Sequence, residues 1–200
     1  MTTDKKYCIR EDMKKVILFF VITFVSLTSI NALPCDSIIP MNNREYTPKL
    51  INLINEAKDS INVLIFTARI YKKYSNSIND KIYDALLKAM DRGVKVTMIL
   101  DVSSWNMSNT RKNIEFAKWI EEKSNNKINI LYDPGMITSH NKIILIDNYI
   151  SIVGSMNWSY YALELNREAS VAVFSKSVYS DFERYFSEIR KRSLKEPELL

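Results

Sequence analysis

The sequence predicts an α/β fold, a three-layer α/β/α sandwich around a mixed sheet. Two observations carry this expectation. From Thr47 to Tyr132, apolar residues at helical spacing alternate with short β-branched runs. Between Lys142 and Val153, two such runs flank Asp147-Asn148, which reads as an antiparallel hairpin. The composition agrees: 200 residues, 46% hydrophobic and 26% charged, with three glycines and five prolines, suit one globular domain plus a leader. No repeat of solenoid period and no low-complexity segment interrupts the chain.

The leader comes first. Met13-Lys14-Lys15, the apolar run Val16 to Leu27 and then Ser29-Ile30-Asn31-Ala32 read as a secretory signal over residues 1–32, with cleavage after Ala32. Met13 is an alternative initiator. The competing reading is an uncleaved membrane anchor over residues 16–33. That segment is 18 residues long and contains Thr23, Ser26, Thr28, Ser29 and Asn31, so cleavage is preferred. Either way Lys14 and Lys15 stay cytoplasmic and the domain is expected to be exported, with membrane association through the leader as the variant. Cys8 and Cys35 flank the segment and form no disulfide or metal pattern. One histidine and two separated cysteines argue against a zinc site.

Residues 33–46, with Pro34, Pro40 and the polar run Asn42 to Glu45, are expected to be a linker to a domain over 47–195. Thr47-Pro48 starts a helix, Thr47 as cap and proline in the first turn, with Leu50, Ile51, Leu53, Ile54 and Ala57 inward. Ile61 to Phe66 is a strand. Ser77 to Arg92 is a helix with Ile78, Ile82, Leu86, Ala89 and Met90 at helical spacing and Gly93 closing it. Val94 to Leu100 is a strand ending at Asp101, and Ser108 to Lys123 a helix. Strands follow at Ile128 to Tyr132, Lys142 to Ile146, Ile150 to Val153 and Glu168 to Phe174. Val178 to Arg192 is the last helix, with Phe182, Tyr185, Phe186 and Ile189 on one side.

The net charge of +5 is mild; five Lys/Arg and three Asp/Glu fall in residues 1–32, so the rest carries +3. That is compatible with a local polyanion site and equally with ordinary solubility. The candidate site rests on one histidine, His140, which precedes a strand. Lys142 lies one residue beyond it, and Gly154-Ser155-x-Asn157 follows the next strand. A lone histidine at a strand edge is more often structural, and a Gly-Ser pair is usually a turn. Antiparallel pairing, however, brings these two strand ends side by side and crowds their polar groups. Alternation puts His140, Lys142 and Ile144 on one face. Such a set suits holding and attacking a phosphate.

The residues Ser139-His-Asn-Lys-Ile-Ile-Leu-Ile-Asp147, then Ile152-Val-Gly-Ser-Met-Asn-Trp158, then Asn166-x-Glu168, resemble the HKD motif of the phospholipase D superfamily. The resemblance covers about residues 46 to 190, in a single motif copy, and is similar to the short single-motif endonucleases and to membrane-anchored single-motif members. It implies a phospholipase D/nuclease-like fold and a metal-independent phosphodiesterase with a phosphohistidine intermediate. It also implies a homodimer whose two motifs meet at one site. His140 would be nucleophile in one chain and leaving-group acid in the other. Lys142, Ser155 and Asn157 would bind the phosphate, and Glu168 would hold the imidazole in the useful tautomer. Asp147 is counted with His140, Lys142 and Glu168 in the catalytic set as a member of the motif, in a structural or dimer-stabilising role; as an Asp-Asn turn it needs no further role.

Nucleic acid, DNA or RNA, is the expected substrate of a non-specific endonuclease. A membrane-surface lipid phosphodiesterase is the alternative and predicts an apolar rim near the site. A non-catalytic phosphate-binding module is a third reading, but binding alone would not demand the histidine. Arg69 and Tyr71 are candidate groove residues, Trp105 and Trp158 candidate stacking platforms, with Trp158 better suited to packing beneath the site. The last helix is basic, but its glutamates dilute the charge.

Overall fold

A computed structural model describes residues 32–71 and 77–197. The chain divides into two units, Met1–Leu33 and Pro34–Leu200, and every described element belongs to the second. The expected leader falls, apart from Ala32, outside the described residues, as does Cys8. Cys35 is exposed and unbridged. Among the described residues no helix is long and apolar enough to cross a membrane.

Seven strands make one mixed sheet: β1 (Ser37–Pro40), β2 (Ser60–Ile65), β3 (Lys95–Ser103), β4 (Asn129–Gly135), β5 (Lys142–Ile146), β6 (Ile150–Gly154) and β7 (Ser170–Phe174). Their order is β1-β7-β6-β5-β2-β3-β4. β2, β3 and β4 run parallel. β5 joins β2 antiparallel, and β6, β7 and β1 continue antiparallel. The helices are α1 (Tyr46–Glu56), α2 (Ile78–Asp91), α3 (Met107–Lys123) and α4 (Lys176–Arg192).

The central strands are apolar on both faces, which requires cover on both. Val63, Ile65, Met98, Leu100, Ile144 and Ile146 pack with α1, α2 and α3 in one core. Leu64, Ile99, Leu131, Ile143 and Leu145 pack with Tyr179, Phe186 and Ile189 of α4 in another. The three-layer expectation is therefore met. α2 starts as its sequence demands: Ser77 Oγ accepts from Asp80 N at 3.3 Å while Asp80 Oδ2 accepts from Ser77 N at 2.8 Å. It ends at Gly93, whose φ of +93° suits a residue without Cβ.

Three expectations need correction. Residues 33–46 are not simply a linker, because Ser37–Pro40 pairs with β7, Ser37 opposite Phe174 and Pro40 opposite Val171. A proline is acceptable there because β1 is an edge strand. Thr47 is not the cap of α1; a single 3₁₀ turn, Asn43–Glu45, leads into a helix that starts at Tyr46, leaving Thr47 buried in its first turn. β3 and β4 also run past their expected ends, because Asp101, Val102 and Ser103 pair with Asp133, Pro134 and Gly135.

Gly154 closes β6 opposite Ser170. A Cβ built there would lie 2.0 Å from Ser170 Oγ and 2.5 Å from both Ala169 O and Ser170 Cα. Two of those atoms are backbone, so relief requires the strands to separate. Gly154→Ala is expected to destabilise the domain by at least about 2 kcal/mol, measured by urea unfolding; a variant as stable as the parent would show that β6 and β7 yield freely.

Candidate active site

The parallel and antiparallel halves of the sheet meet where β2 lies beside β5, and the candidate residues gather at the carboxyl end of β2. Open α/β sheets place ligand sites at such switch points. Ile65, the last residue of β2, pairs with Lys142, the first of β5. Lys142 is 9% exposed. Its Nζ donates to His140 O at 2.8 Å and stands 5.1 Å from the Phe66 ring centroid. The His140 ring packs on Phe66 too, centroids 4.6 Å apart. Phe66 N donates to Asn141 O at 2.8 Å, which continues the β2–β5 ladder up to the histidine.

The other half of the site comes from β6 and β7. The Ser155 hydroxyl donates to Glu168 Oε2, and Asn166 Nδ2 donates to Glu168 Oε1 at 3.0 Å. Ser155 N donates to Ala169 O at 3.0 Å, so this segment is pinned to the strand carrying Glu168. Asn157 Oδ1 is buried with no hydrogen-bond partner. A buried acceptor without a donor is costly unless something supplies one. Beneath the segment Trp158 is fully buried, its Nε1 donating to Tyr46 Oη at 3.3 Å; it packs and does not stack on a ligand.

Electrostatics tie the halves together. Burial lowers the Lys142 ammonium to about 8, against the opposing pull of Glu168 and Asp101. Burial, then the Lys142 cation, lowers His140 below its ordinary 6.5, with Asp101 acting the other way. The imidazole is thus neutral at neutral pH beside a cation that is still largely charged.

Two expected members behave differently. Asp147 does not join the group. It lies at the far end of β5, roughly 16 Å along the strand, where its carboxylate accepts from the amides of Lys58, Asp59 and Ser60 at 2.8, 2.9 and 3.0 Å. With φ of +52° and +54°, Asp147 and Asn148 form the tight hairpin turn. Glu168 lies in the site, but its carboxylate bonds Ser155 and Asn166 and not the imidazole of its own chain.

Other contributors escape a linear reading. Asn109 and Asn113, one turn apart on α3 and 2% and 0% exposed, lie under the loop after β2. Asn109 Nδ2 and Asn113 Nδ2 both donate to Phe66 O at 2.8 Å, and Asn113 also bonds Ala68 N and Asp101 O. Their one sequence signal is two asparagines at i, i+4 on an otherwise apolar helix face. Among the described residues, no three His, Cys, Asp or Glu side chains gather as a metal set. Trp105 after β3, Met136 and Ile137 between β4 and β5, and Tyr160, Tyr161 and Leu165 after β6 are exposed in the connections at this end of the sheet. Arg69 N donates to Trp158 O at 2.9 Å, and Tyr71 Oη accepts from Tyr160 N at 3.0 Å. On the last helix Arg192 pairs with Asp133 and Arg184 with Asp181, so those charges are partly neutralised.

Residues 50–190 match the family described as "Cardiolipin synthase, PLD-like domain". The chain belongs to the phospholipase D superfamily. It is 35% identical over 115 residues to cardiolipin synthase A of Wigglesworthia glossinidia brevipalpis, covering 54% of this chain and 22% of that one. It is 31% identical over 127 residues to a phospholipase D of Rickettsia conorii, covering 64% and 55% respectively. The chain therefore spans about a fifth of that synthase and just over half of that phospholipase D. Among solved structures, the phospholipase D family member Nuc from Salmonella typhimurium superposes with a TM-score of 0.65 at 22% identity, over 79% of this chain and 96% of that one. At that identity the likeness establishes the fold.

Asp147 is placed to lock a turn, which separates its effect from chemistry. Asp147→Ala is expected to cost about 1–3 kcal/mol of stability through three unpaired amides, measured by thermal unfolding. Whatever catalytic rate the folded protein has should stay within about twofold, since the site lies at the other end of β5. A large rate loss at unchanged stability would return Asp147 to the site.

Proposed function

We propose that this protein is a phosphodiesterase that cleaves nucleic acid through a phosphohistidine and works as a homodimer. One observation carries the reading: His140, lowered toward its neutral form, stands beside the buried ammonium of Lys142 at the switch point of the sheet. Lys142, with Ser155 and Asn157, neutralises and orients the phosphate oxygens as charge builds on them. His140 of one chain attacks phosphorus and expels the leaving oxygen, which takes a proton from the second chain's imidazole. That imidazole then draws a proton from water, which attacks the phosphohistidine and frees His140. One histidine per chain cannot be nucleophile and acid in the same step, so two chains share one groove. Glu168 serves this arrangement through Ser155 and through the charge on Lys142.

Exposed Trp105, Tyr160 and Tyr161 in the connections at the site's end of the sheet favour nucleic acid, since bases stack on such rings. The lipid reading has its own support. Met136, Ile137 and Leu165 are also exposed at this end of the sheet, and relatives in the family carry the names cardiolipin synthase and phospholipase D. With the leader as read from the sequence, the domain would act outside the cytoplasm.

The deciding experiment incubates the full chain with labelled DNA, labelled RNA and phosphatidylglycerol vesicles in excess EDTA. Nucleic-acid cleavage that persists in EDTA is expected, because Lys142 supplies the cation. Turnover of vesicles alone would move the assignment to lipid, and no turnover on any substrate would overturn the phosphodiesterase reading. A heterodimer of the parent chain with a His140→Asn chain should be nearly inactive; half the parental rate would mean independent sites.

The titrating groups set a pH profile. One imidazole must be neutral and its partner protonated, and both titrate below 6.5. kcat/KM should peak on the acid side of pH 6.5 and decline as the acid imidazole loses its proton. The fall should steepen above about 8, where Lys142 discharges. An optimum at or above pH 8 would contradict these roles.

A further inference from the structure

Asp101 is fully buried in β3 and is in no ion pair among the described residues; Arg192 pairs instead with Asp133, the residue opposite it on β4, at 3.1 Å. A buried carboxylate without a paired cation is expensive, and a neutral side chain would serve a purely mechanical clamp at lower cost. Its bonds are directed at the site. Oδ1 accepts from Ser139 N at 2.7 Å, the amide immediately before His140. Oδ2 accepts from Ser103 Oγ at 3.0 Å and Ser103 N at 3.4 Å, and Ser103 Oγ also contacts Thr138 Oγ1 at 3.1 Å. The main-chain oxygen of Asp101 accepts from Asn113 Nδ2 at 2.8 Å. Residues 138 and 139 are thus held to one buried anion.

We propose that Asp101 is a positioning residue: its buried carboxylate fixes the backbone in front of His140 and sets a negative charge against the residue that precedes the imidazole. A charge role follows from that placement. Burial drives both His140 and Lys142 toward neutrality, and Lys142 adds to the effect on His140. Asp101 is the one carboxylate that opposes this at His140; at Lys142 it acts together with Glu168, which approaches from the β7 side. Burial pushes the Asp101 carboxyl up, the bonds from Ser139 and Ser103 hold it down, and Asp133 adds a smaller upward push. Without Asp101 the site would lose the anion that keeps an acid-form imidazole accessible near neutral pH.

The catalytic part of this inference rests on the phosphodiesterase reading, but its test does not. The chain has one histidine, so untagged full-length protein gives a single imidazole signal by NMR. That signal is titrated in the parent and in Asp101→Asn, alongside hydrolysis of bis(4-nitrophenyl) phosphate. The expected result is a His140 midpoint lower by about half a pH unit or more in Asp101→Asn. In an active enzyme, the pH optimum should move to acid by a similar amount and kcat should fall more than KM rises. An unchanged His140 midpoint in a folded variant overturns the charge role. If the parent hydrolyses nothing, the phosphodiesterase reading fails while the titration still decides Asp101. Should Asp101→Asn not fold, hydrogen exchange in the parent decides the clamp. The Ser139 amide should exchange as slowly as the amides of β5, and fast exchange would overturn it.

Discussion

The site depends on the register between β2 and β5. Ile61 faces Ile146 and Ile65 faces Lys142, and the pairing is locked at both ends. At one end the Asp147 carboxylate gathers the amides of residues 58 to 60. At the other, Phe66 N bonds Asn141 O. A slip of one residue would send Lys142 to the α4 face and expose the apolar partners of Ile144. Asp147 is one of two locks on a register that the buried ladder itself holds, and that register seats Lys142 beside His140.

The second constraint is a buried polar scaffold under the apolar sheet end. Asn109 and Asn113 hold the loop after β2 at Phe66 O, Asn113 also binds β3 at Asp101 O, and the Asp101 carboxylate ties β3 to the segment bearing His140. Such a network is stabilising only when its members are satisfied, and it then specifies a single arrangement. Asn157 Oδ1 in the candidate site has no partner among the described residues, and neither do the Asn79 side chain, Ser151 Oγ, Ser170 Oγ and Arg69 Nε. Of these only Asn157 is a candidate phosphate-binding residue, so only there would a ligand complete the bond.

Short-range signals were legible because they obey local rules. The Ser77–Asp80 box, the Gly93 stop and the Asp147-Asn148 turn all follow from the geometry of a few neighbouring residues. The side-by-side placement of Lys142 and Gly154 followed from hairpin pairing alone. β1 was missed because a strand of four residues carries little periodicity, and its stability comes from a partner more than a hundred residues away. The polar support of the site was missed for a similar reason: asparagines on an apolar helix face carry no sign of what they will bond.

By itself the sequence determined the layer architecture, the single-motif chemistry and the superfamily, since these rest on periodicity and on residue types at fixed spacing. Tertiary structure alone decided the partners of the motif's residues. It gave the Asp147 carboxylate three amides at the start of β2, gave Glu168 to Ser155 and Asn166, and bonded Asp101 to the amide before His140. Spacing along a chain specifies which groups are present. Which of them share one low-dielectric volume is set by strand register and burial, and that shared volume decides which charges act on each other.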